Sequence, residues 1–419
     1  MKVGIQLGLM KKGVLFSGFF TALCALFFFM VPFNGKFYSF FGLQQQSNFL
    51  SVVLVLLLVF SPFVKGWDPR GLSKNKVFRL FLLFFAFYLV SELFITPSDK
   101  GLGELVKKLS FVVIPILILA NPTFFDAQKK KLFLSYFLGV LFTVLYLDVK
   151  AILFFIETST IPVYANYTLF THPTYLGANV LLAFVFFLSF YIKSKRSIKH
   201  AVLQLLVAYV LLAHLFVILS KAALICAIIV FVSFAIFLLF RHRKKLVYYL
   251  LIGLLPCVLV FASFRSVRLA FVKVQSRFKE LENYENKDGS TSFRFQIVKG
   301  LPELMSDKLL TGAGVGNEES VLLAYYKKQD WSRAISKKYN SHNQFIQISL
   351  SVGVIGAVLF IALMLIPLFQ DRQKGDKVIL ICFIVLFCTE AMLERQAGIV
   401  LFMLFYSFAF GVPLPKKKS

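Results

Sequence analysis

Long apolar windows recur along this chain and decide the solvent it folds in. About twelve stretches of 17 or more mostly apolar residues are centred on 13–31, 49–64, 78–95, 109–125, 132–149, 173–192, 201–219, 222–240, 246–264, 345–369, 377–392 and 396–412. Each is long enough to cross roughly 30 Å of hydrocarbon at about 1.5 Å per residue. No water is available there, so every backbone N–H and C=O must be bonded within the protein, and repeated windows of this length specify helices. The expected fold class is an all-α polytopic membrane protein with about 12 transmembrane helices. Composition agrees: 58% of residues are hydrophobic and 52 of 419 are phenylalanine, a balance outside that of water-soluble domains. The fourth window and the last two are the weakest, because their apolar runs are short or contain Glu390 and Glu394.

Basic residues test the count independently, since Lys and Arg are retained on the cytoplasmic side of a membrane. They alternate from connection to connection. The basic connections are the N-terminus (Lys2, Lys11, Lys12), "KGWDPRGLSKNKVFR", "KKK" at 129–131, "KSKRSIK", "RHRKK", "DRQKGDK" and the C-terminal "KKK", which together hold 25 of the 46 Lys and Arg. Seven lie in the short opposite connections or, like Lys150 and Lys221, near helix ends. Both termini are therefore expected in the cytoplasm. The first window is too long for a signal peptide and no small-residue cleavage site follows it, so it is expected to stay attached. All five cysteines (Cys24, Cys226, Cys257, Cys382, Cys388) fall in apolar windows, which suits packing and neither a disulfide nor a metal cluster. The net charge of +26 is accounted for by this alternation, and no nucleic-acid partner is expected.

One connection is unlike the others. Residues 265–341 lie outside the cytoplasm by this topology and divide the chain into spans 1–9 (1–264), a loop domain (265–344) and spans 10–12 with a basic tail (345–419). The stretches "FRSVRLAFVKVQSRFKELENY" and "GNEESVLLAYYKKQDWSRAIS" carry apolar residues at helical spacing, which predicts helices able to lie at the membrane surface. The loop holds 14 basic and 9 acidic residues. A solvated or lipid-facing surface explains that surplus; so does an anionic substrate. "TGAGVGN" (311–317) reads as a turn, because no strand precedes it.

The histidines narrow the chemistry. His200 and His242 fall in cytoplasmic loops and His214 within a window; only His172 and His342 stand at outer ends. Outside the cytoplasm a transferase needs a donor that arrives already activated, typically on a lipid diphosphate. Such a reaction calls for cations against the leaving diphosphate and a base for the attacking hydroxyl. His342 is the candidate base. The competing reading is an interfacial histidine satisfied by backbone.

Spacing favours the first reading. "HNQFIQISLSVGVIG" follows the pattern His, then Asn/Ser/Gln, nine residues, Gly, two residues, then Gly/Thr/Tyr, through His342, Asn343, Gly353 and Gly356. This resembles the signature of the O-antigen ligase family, within the superfamily that also contains O-antigen polymerases. "HPTYLGANVLLAF" (172–184) and "TEAMLERQAGIVLF" (389–402) look like segments of Bacteroidetes-type members, and "GSTSFRFQIVKGLPELMSDKLLTGAGVGN" is similar to the family's loop region. The resemblance spans roughly residues 160–400. It implies that His342 is the essential histidine and that Arg294 contacts donor phosphate. Where members commonly have Ser-Arg-Gly or Ser-Arg-Ala, this chain has Lys221, a point charge in place of a fork. Val298 stands where a tryptophan often follows the loop arginine.

Glu390, Glu394 and Arg395 flank the last outer turn. Buried acids at that depth are usually paired, so Glu394 with Arg395, or Glu390 with Lys221, competes with a substrate role for Glu390 and Arg395. His172 is a possible member of the same site. There is no Asp-x-Asp and no acid in the first outer loop, which points to a metal-free mechanism without a cofactor. The expected partners are an undecaprenyl diphosphate-linked glycan donor, a lipid A core or other glycan acceptor, and membrane lipids. The expected location is the bacterial inner membrane with the active site on the periplasmic face. A polymerase is the alternative within the superfamily. A lipid-linked glycan transporter, the alternative class, would show buried mid-span charges and repeated halves. The topology is directly testable: a cysteine placed at Asn286 should react with a membrane-impermeant thiol reagent on intact cells, and reaction only after lysis overturns the site assignment.

Overall fold

The computed structural model describes residues 2–33, 47–95, 97–160, 162, 165–168, 172–191, 198–241, 290–306 and 309–412. Among them are helices and turns and no strand. In chain order the helices are α1 (Lys2–Met30), α2 (Ser47–Phe60), α3 (Pro69–Lys74), α4 (Lys76–Val90), α5 (Gly101–Lys108), α6 (Ser110–Leu119), α7 (Pro122–Thr158), α8 (Ala165–Thr168), α9 (Pro173–Tyr191), α10 (Ile198–Ile218), α11 (Lys221–Arg241), α12 (Ser290–Lys299), α13 (Leu301–Leu304), α14 (Glu318–Lys328), α15 (Ser332–Ser336), α16 (Gln344–Leu365), α17 (Lys374–Thr389) and α18 (Gln396–Tyr406). The window at 246–264, the first half of the long loop with Asn286, His242, Cys257 and the C-terminal lysines lie outside the described residues.

Four segments are long and apolar enough to cross a bilayer: Phe16–Phe33, Lys76–Ile95, Pro122–Thr158 and Gln344–Phe369. Five are apolar but shorter: Phe49–Phe63, Pro173–Leu188, Leu206–Ile218, Lys221–Ser233 and Gln396–Gly411. These coincide with nine of the sequence windows. The window 109–125 is corrected. Its helix α6 stops at Leu119, the Asn121 amide donates to the Leu117 carbonyl at 3.1 Å, and Pro122, with no N–H to satisfy, opens α7. Phe124 and Phe125 thus belong to the next helix. The lysines 129–131, read as a connection, ride inside α7, whose 37 residues rise about 55 Å and so exceed the hydrocarbon. At the other weak window, α17 ends at Thr389 and Glu390 is extended; the acid stands past the helix, not within it.

Two helices sit at the centre. In α9 residues 173–188 are all buried, and from Gly398 onward so is α18. A helix apolar on every side must have protein on every side. Accordingly α9 lies against α7, α10, α11 and α17, and α18 against α5, α6 and α17. Phe402 stacks edge-on with Phe81, Phe383 and Phe387, and the Tyr406 hydroxyl donates to the Leu363 carbonyl at 2.6 Å.

Helix α16 breaks midway, where Val352 and Gly353 leave helical dihedrals and Gly353 takes φ +71°. The carbonyls freed by the break are taken up by the glycine turn: Ala313 N donates to Leu350 O at 2.7 Å and Gly314 N to Ser351 O at 3.0 Å. In the reverse direction Val354 N donates to Leu309 O at 2.9 Å. Irregular backbone is tolerated at membrane depth where protein covers it and its polar groups are bonded. "TGAGVGN" is therefore a turn, as its sequence indicates, and its positive φ at Gly312, Gly314 and Gly316 lets it follow the broken helix. Gly356, the other motif glycine, is packed against Val352 and Phe87 where α16 meets α4.

The second amphipathic stretch folds as α14 and α15. Its apolar face does not lie on lipid; Leu322, Tyr326, Trp331 and Ala334 form a small core with Phe293 and Ile297 of α12 and with Ile346 and Leu350 of α16. The loop is thus built onto α16 twice, through this core and through the glycine turn. A Cβ at Gly353 would lie 2.0 Å from the Leu310 carbonyl oxygen, whereas one at Gly103 meets open space. Gly353→Ala should cost about 2–4 kcal/mol in strain and lost hydrogen bonds, read as a lowered melting temperature in detergent, with Gly103→Ala near wild type. Equal melting of the two variants rejects this account of the break.

Candidate active site

The stretch "NSHNQ" joins the loop to α16, and each of its side chains has a structural task. Asn340 Oδ1 accepts from His342 N at 3.0 Å. Ser341 donates to Gln347 Oε1 at 2.9 Å. Asn343 Oδ1 caps α16 by accepting from Phe345 N and Ile346 N, while its amide donates to the Cys388 carbonyl at 3.3 Å. Gln344 accepts from Leu393 N at 2.6 Å. His342 itself is held at φ +47°, a left-handed backbone uncommon for a residue with a Cβ and typical of functional sites. Phe293 and Tyr339 stand edge-on to its ring.

This geometry aims His342 Nδ1 at Glu390 Oε2, 3.2 Å away. The same carboxylate oxygen lies 3.9 Å from Nδ1 of His172, at the start of α9. Burial alone would push the Glu390 carboxyl up, but the hydrogen bond and charge of His342 and the charges of His172 and Arg294 outweigh it and hold the group below its ordinary range. Glu390 is therefore an ionised acceptor. It engages Nδ1 of His342 and so orients the ring, while Nε2 makes no hydrogen bond among the described residues. For His172 burial is the main influence and lowers its proton affinity; Glu390 opposes it, and Arg395, His342 and Arg294 add to it.

The turn after α17 carries Glu390 and is sewn in from four directions. Arg294 Nε donates to the Thr389 carbonyl at 3.1 Å, the Tyr175 hydroxyl to the Met392 carbonyl at 3.0 Å, and Asn343 and Gln344 bind from α16. Lys108 of α5 faces Glu394 at 3.6 Å. Of the pairings left open by the sequence, then, Glu394 takes Lys108 and Glu390 takes His342. Arg294 sits within helix α12. His172, Arg294, His342, Asn343, Glu390 and Arg395 thus come together at one end of the bundle, with Gly353 and Gly356 behind them in α16. Lys221 opens α11, which packs on α9 and α17, the helices whose ends present His172 and Glu390.

Against this geometry, residues 206–361 match the family model described as O-antigen ligase. That stretch of the chain is similar to the O-antigen ligase family. The match takes in Lys221, Arg294, His342, Asn343, Gly353 and Gly356, and it stops short of His172, Glu390 and Arg395 on either side. The matched stretch therefore supplies one wall of the cluster and flanking helices the other. The match supports, in general terms, a glycosyl transfer of the kind that O-antigen ligases and polymerases carry out. A comparison with curated proteins finds no match.

Sequence reading missed the layer beneath. Lys108 is buried with no hydrogen-bond partner for its ammonium, 5.2 Å from the Tyr88 ring centre. Around it lie Glu394, buried Glu318 at the start of α14, and Ser351 beside the break in α16. The signal was faint: Lys108 immediately precedes the fourth window, 109–125, and counts there only as one of the few cations of a short outer connection. Burial, and then the charge of Glu394, push Glu318 up to about 7 despite Lys108. The folded protein thus holds this proton more tightly than the unfolded chain does. The resulting stabilisation is full below the ordinary value of 4.5, declines as pH rises toward about 7 and is gone above it. Melting temperature in detergent should fall between pH 5 and pH 8, and Glu318→Gln should flatten that fall. Parallel curves for the two proteins rule Glu318 out as its source.

Proposed function

We propose that the protein transfers a glycan from undecaprenyl diphosphate to a sugar hydroxyl of lipid A core, as an O-antigen ligase, without a metal. The reading places it in the bacterial inner membrane with about twelve spans, both termini cytoplasmic and the site on the periplasmic face. Its parts are spans 1–9 in 1–264, the loop domain 265–344, and the last spans and tail in 345–419. The observation that carries it is the His342–Glu390 pair at the foot of the loop, with Nε2 of His342 unengaged and Arg294 alongside.

In the reaction, the acceptor hydroxyl oxygen attacks the anomeric carbon of the donor's linking sugar. The bond from that carbon to the diphosphate oxygen breaks and its electron pair leaves with the diphosphate. The hydroxyl proton passes to Nε2 of His342, and ionised Glu390 stabilises the imidazolium that results. Arg294, and Lys221 as a point charge, offset the negative charge growing on the leaving diphosphate. Arg294 also holds the Thr389 carbonyl, so it positions the turn as well as binding the anion. A polymerase would use the same groups with a lipid-linked glycan as acceptor. His172 shares Glu390 with His342 and belongs to the site.

General-base terms are typically 10²- to 10⁴-fold, so His342→Ala should cut turnover at least about a hundredfold with donor binding and folded yield retained. His342→Gln keeps hydrogen bonding but is no base near neutral pH, and should be equally impaired; Glu390→Gln should lose turnover without loss of protein. Transfer by purified protein should persist in EDTA. A wild-type rate for His342→Gln would falsify the base assignment.

A further inference from the structure

Arg395 has a setting that the transfer chemistry above does not use. It is exposed at the end of a turn whose preceding residues, Met392 and Leu393, are buried. Its guanidinium carbon lies 5.7 Å from the centre of the Tyr175 ring. The ring cannot swing away: its hydroxyl is bonded to the Met392 carbonyl, and Gly398 lies so close that an added Cβ would be 3.1 Å from Tyr175 Cε1. An aromatic face attracts a guanidinium, and a guanidinium held there keeps its N–H donors for a partner in its own plane.

Among the described residues that partner is not a neighbouring acid. Glu394 turns beneath the surface to Lys108, Glu390 is bonded to His342, and none of the described carboxylates lies within ion-pair distance of Arg395. The Tyr175 ring also stands edge-on to His172, with centres 6.2 Å apart. Arg395 therefore shares the Tyr175 ring with His172 at the rim of the site, and its side-chain donors have no protein acceptor among the described residues.

The geometry points to Arg395 as an anion fork that binds the diphosphate of the lipid-linked donor, with Tyr175 as its positioning platform. The assignment rests on the transferase reading, and it supplies a planar two-donor contact that Lys221, a compact ammonium, does not offer. A fork matches two oxygens of a phosphate at once, so shortening it to lysine should weaken binding nearly as much as neutralising it.

The test uses the full chain purified in detergent, with transfer kinetics varied separately in donor and acceptor and inorganic pyrophosphate as the competing anion. Arg395→Lys and Arg395→Gln should each raise the donor KM about tenfold and weaken pyrophosphate inhibition in proportion, with the acceptor KM unchanged and kcat changed far less. Tyr175→Leu should move the same two quantities part of the way. Unchanged donor KM and pyrophosphate inhibition in both arginine variants overturns the proposal, and so does a rise in acceptor KM alone, which would assign Arg395 to an anionic acceptor. Should the wild type show no transfer, pyrophosphate binding measured directly keeps the two ideas apart: binding lost in Arg395→Gln supports the anion site while the transferase reading fails, and equal binding in variant and wild type rejects the site.

Discussion

A helix that breaks inside an apolar bundle must find new partners for the backbone groups it releases, and most of this architecture follows from how the break in α16 is resolved. Water is excluded at that depth, so the Leu350 and Ser351 carbonyls accept from another piece of chain, the glycine turn. That turn ties the loop to the membrane body. With it come α12 and α14, whose shared core rests on the same helix two turns nearer its start. The segment between these anchors and the start of α16 has little freedom, and His342 occupies its most constrained point, at positive φ.

The second organising element is the turn between α17 and α18. It is short, rich in charge and surrounded by buried helices, conditions under which unpaired groups are expensive. Each charge is directed to its own partner: Glu390 to the histidines, Glu394 to Lys108, Arg395 to the face of Tyr175. The partners come from α5, α9, α12 and α16, so the turn is where parts of the chain distant in sequence register against one another. The matched stretch contributes His342 and Arg294, and their orientation depends on helices outside the matched residues.

Much of this was legible in the sequence, for reasons that also set the limits. Apolar windows report helices because hydrocarbon forces backbone bonding, and nine windows coincide with apolar helical segments. Their ends were less legible. Helix α7 continues through Lys129–Lys131, because a helix that leaves hydrocarbon for water need not stop there, and α6 stops at Leu119, just before Asn121 and Pro122, signals local to the turn. His342, Asn343, Gly353 and Gly356 stood out by spacing. The reason for Gly353 did not, since it lies in the conformation of a helix that the pattern treats as continuous. Glu390 was visible as a buried acid, but its choice of His342 over Lys221 depends on how the end of α17 meets the start of α16, a relation between elements 48 residues apart that no local pattern encodes.

The all-round burial of α18 has a consequence for biosynthesis. A helix with no face for lipid, preceded by a turn carrying two acids and an arginine, is poorly suited to lodge in a bilayer alone. It becomes stable once α5, α6 and α17 are there to receive it. His342 emerges 48 residues before Glu390 and meets its carboxylate only when that final hairpin has docked. Nascent chains and truncated products therefore hold the histidine without its partner, and the pair is a product of the assembled bundle.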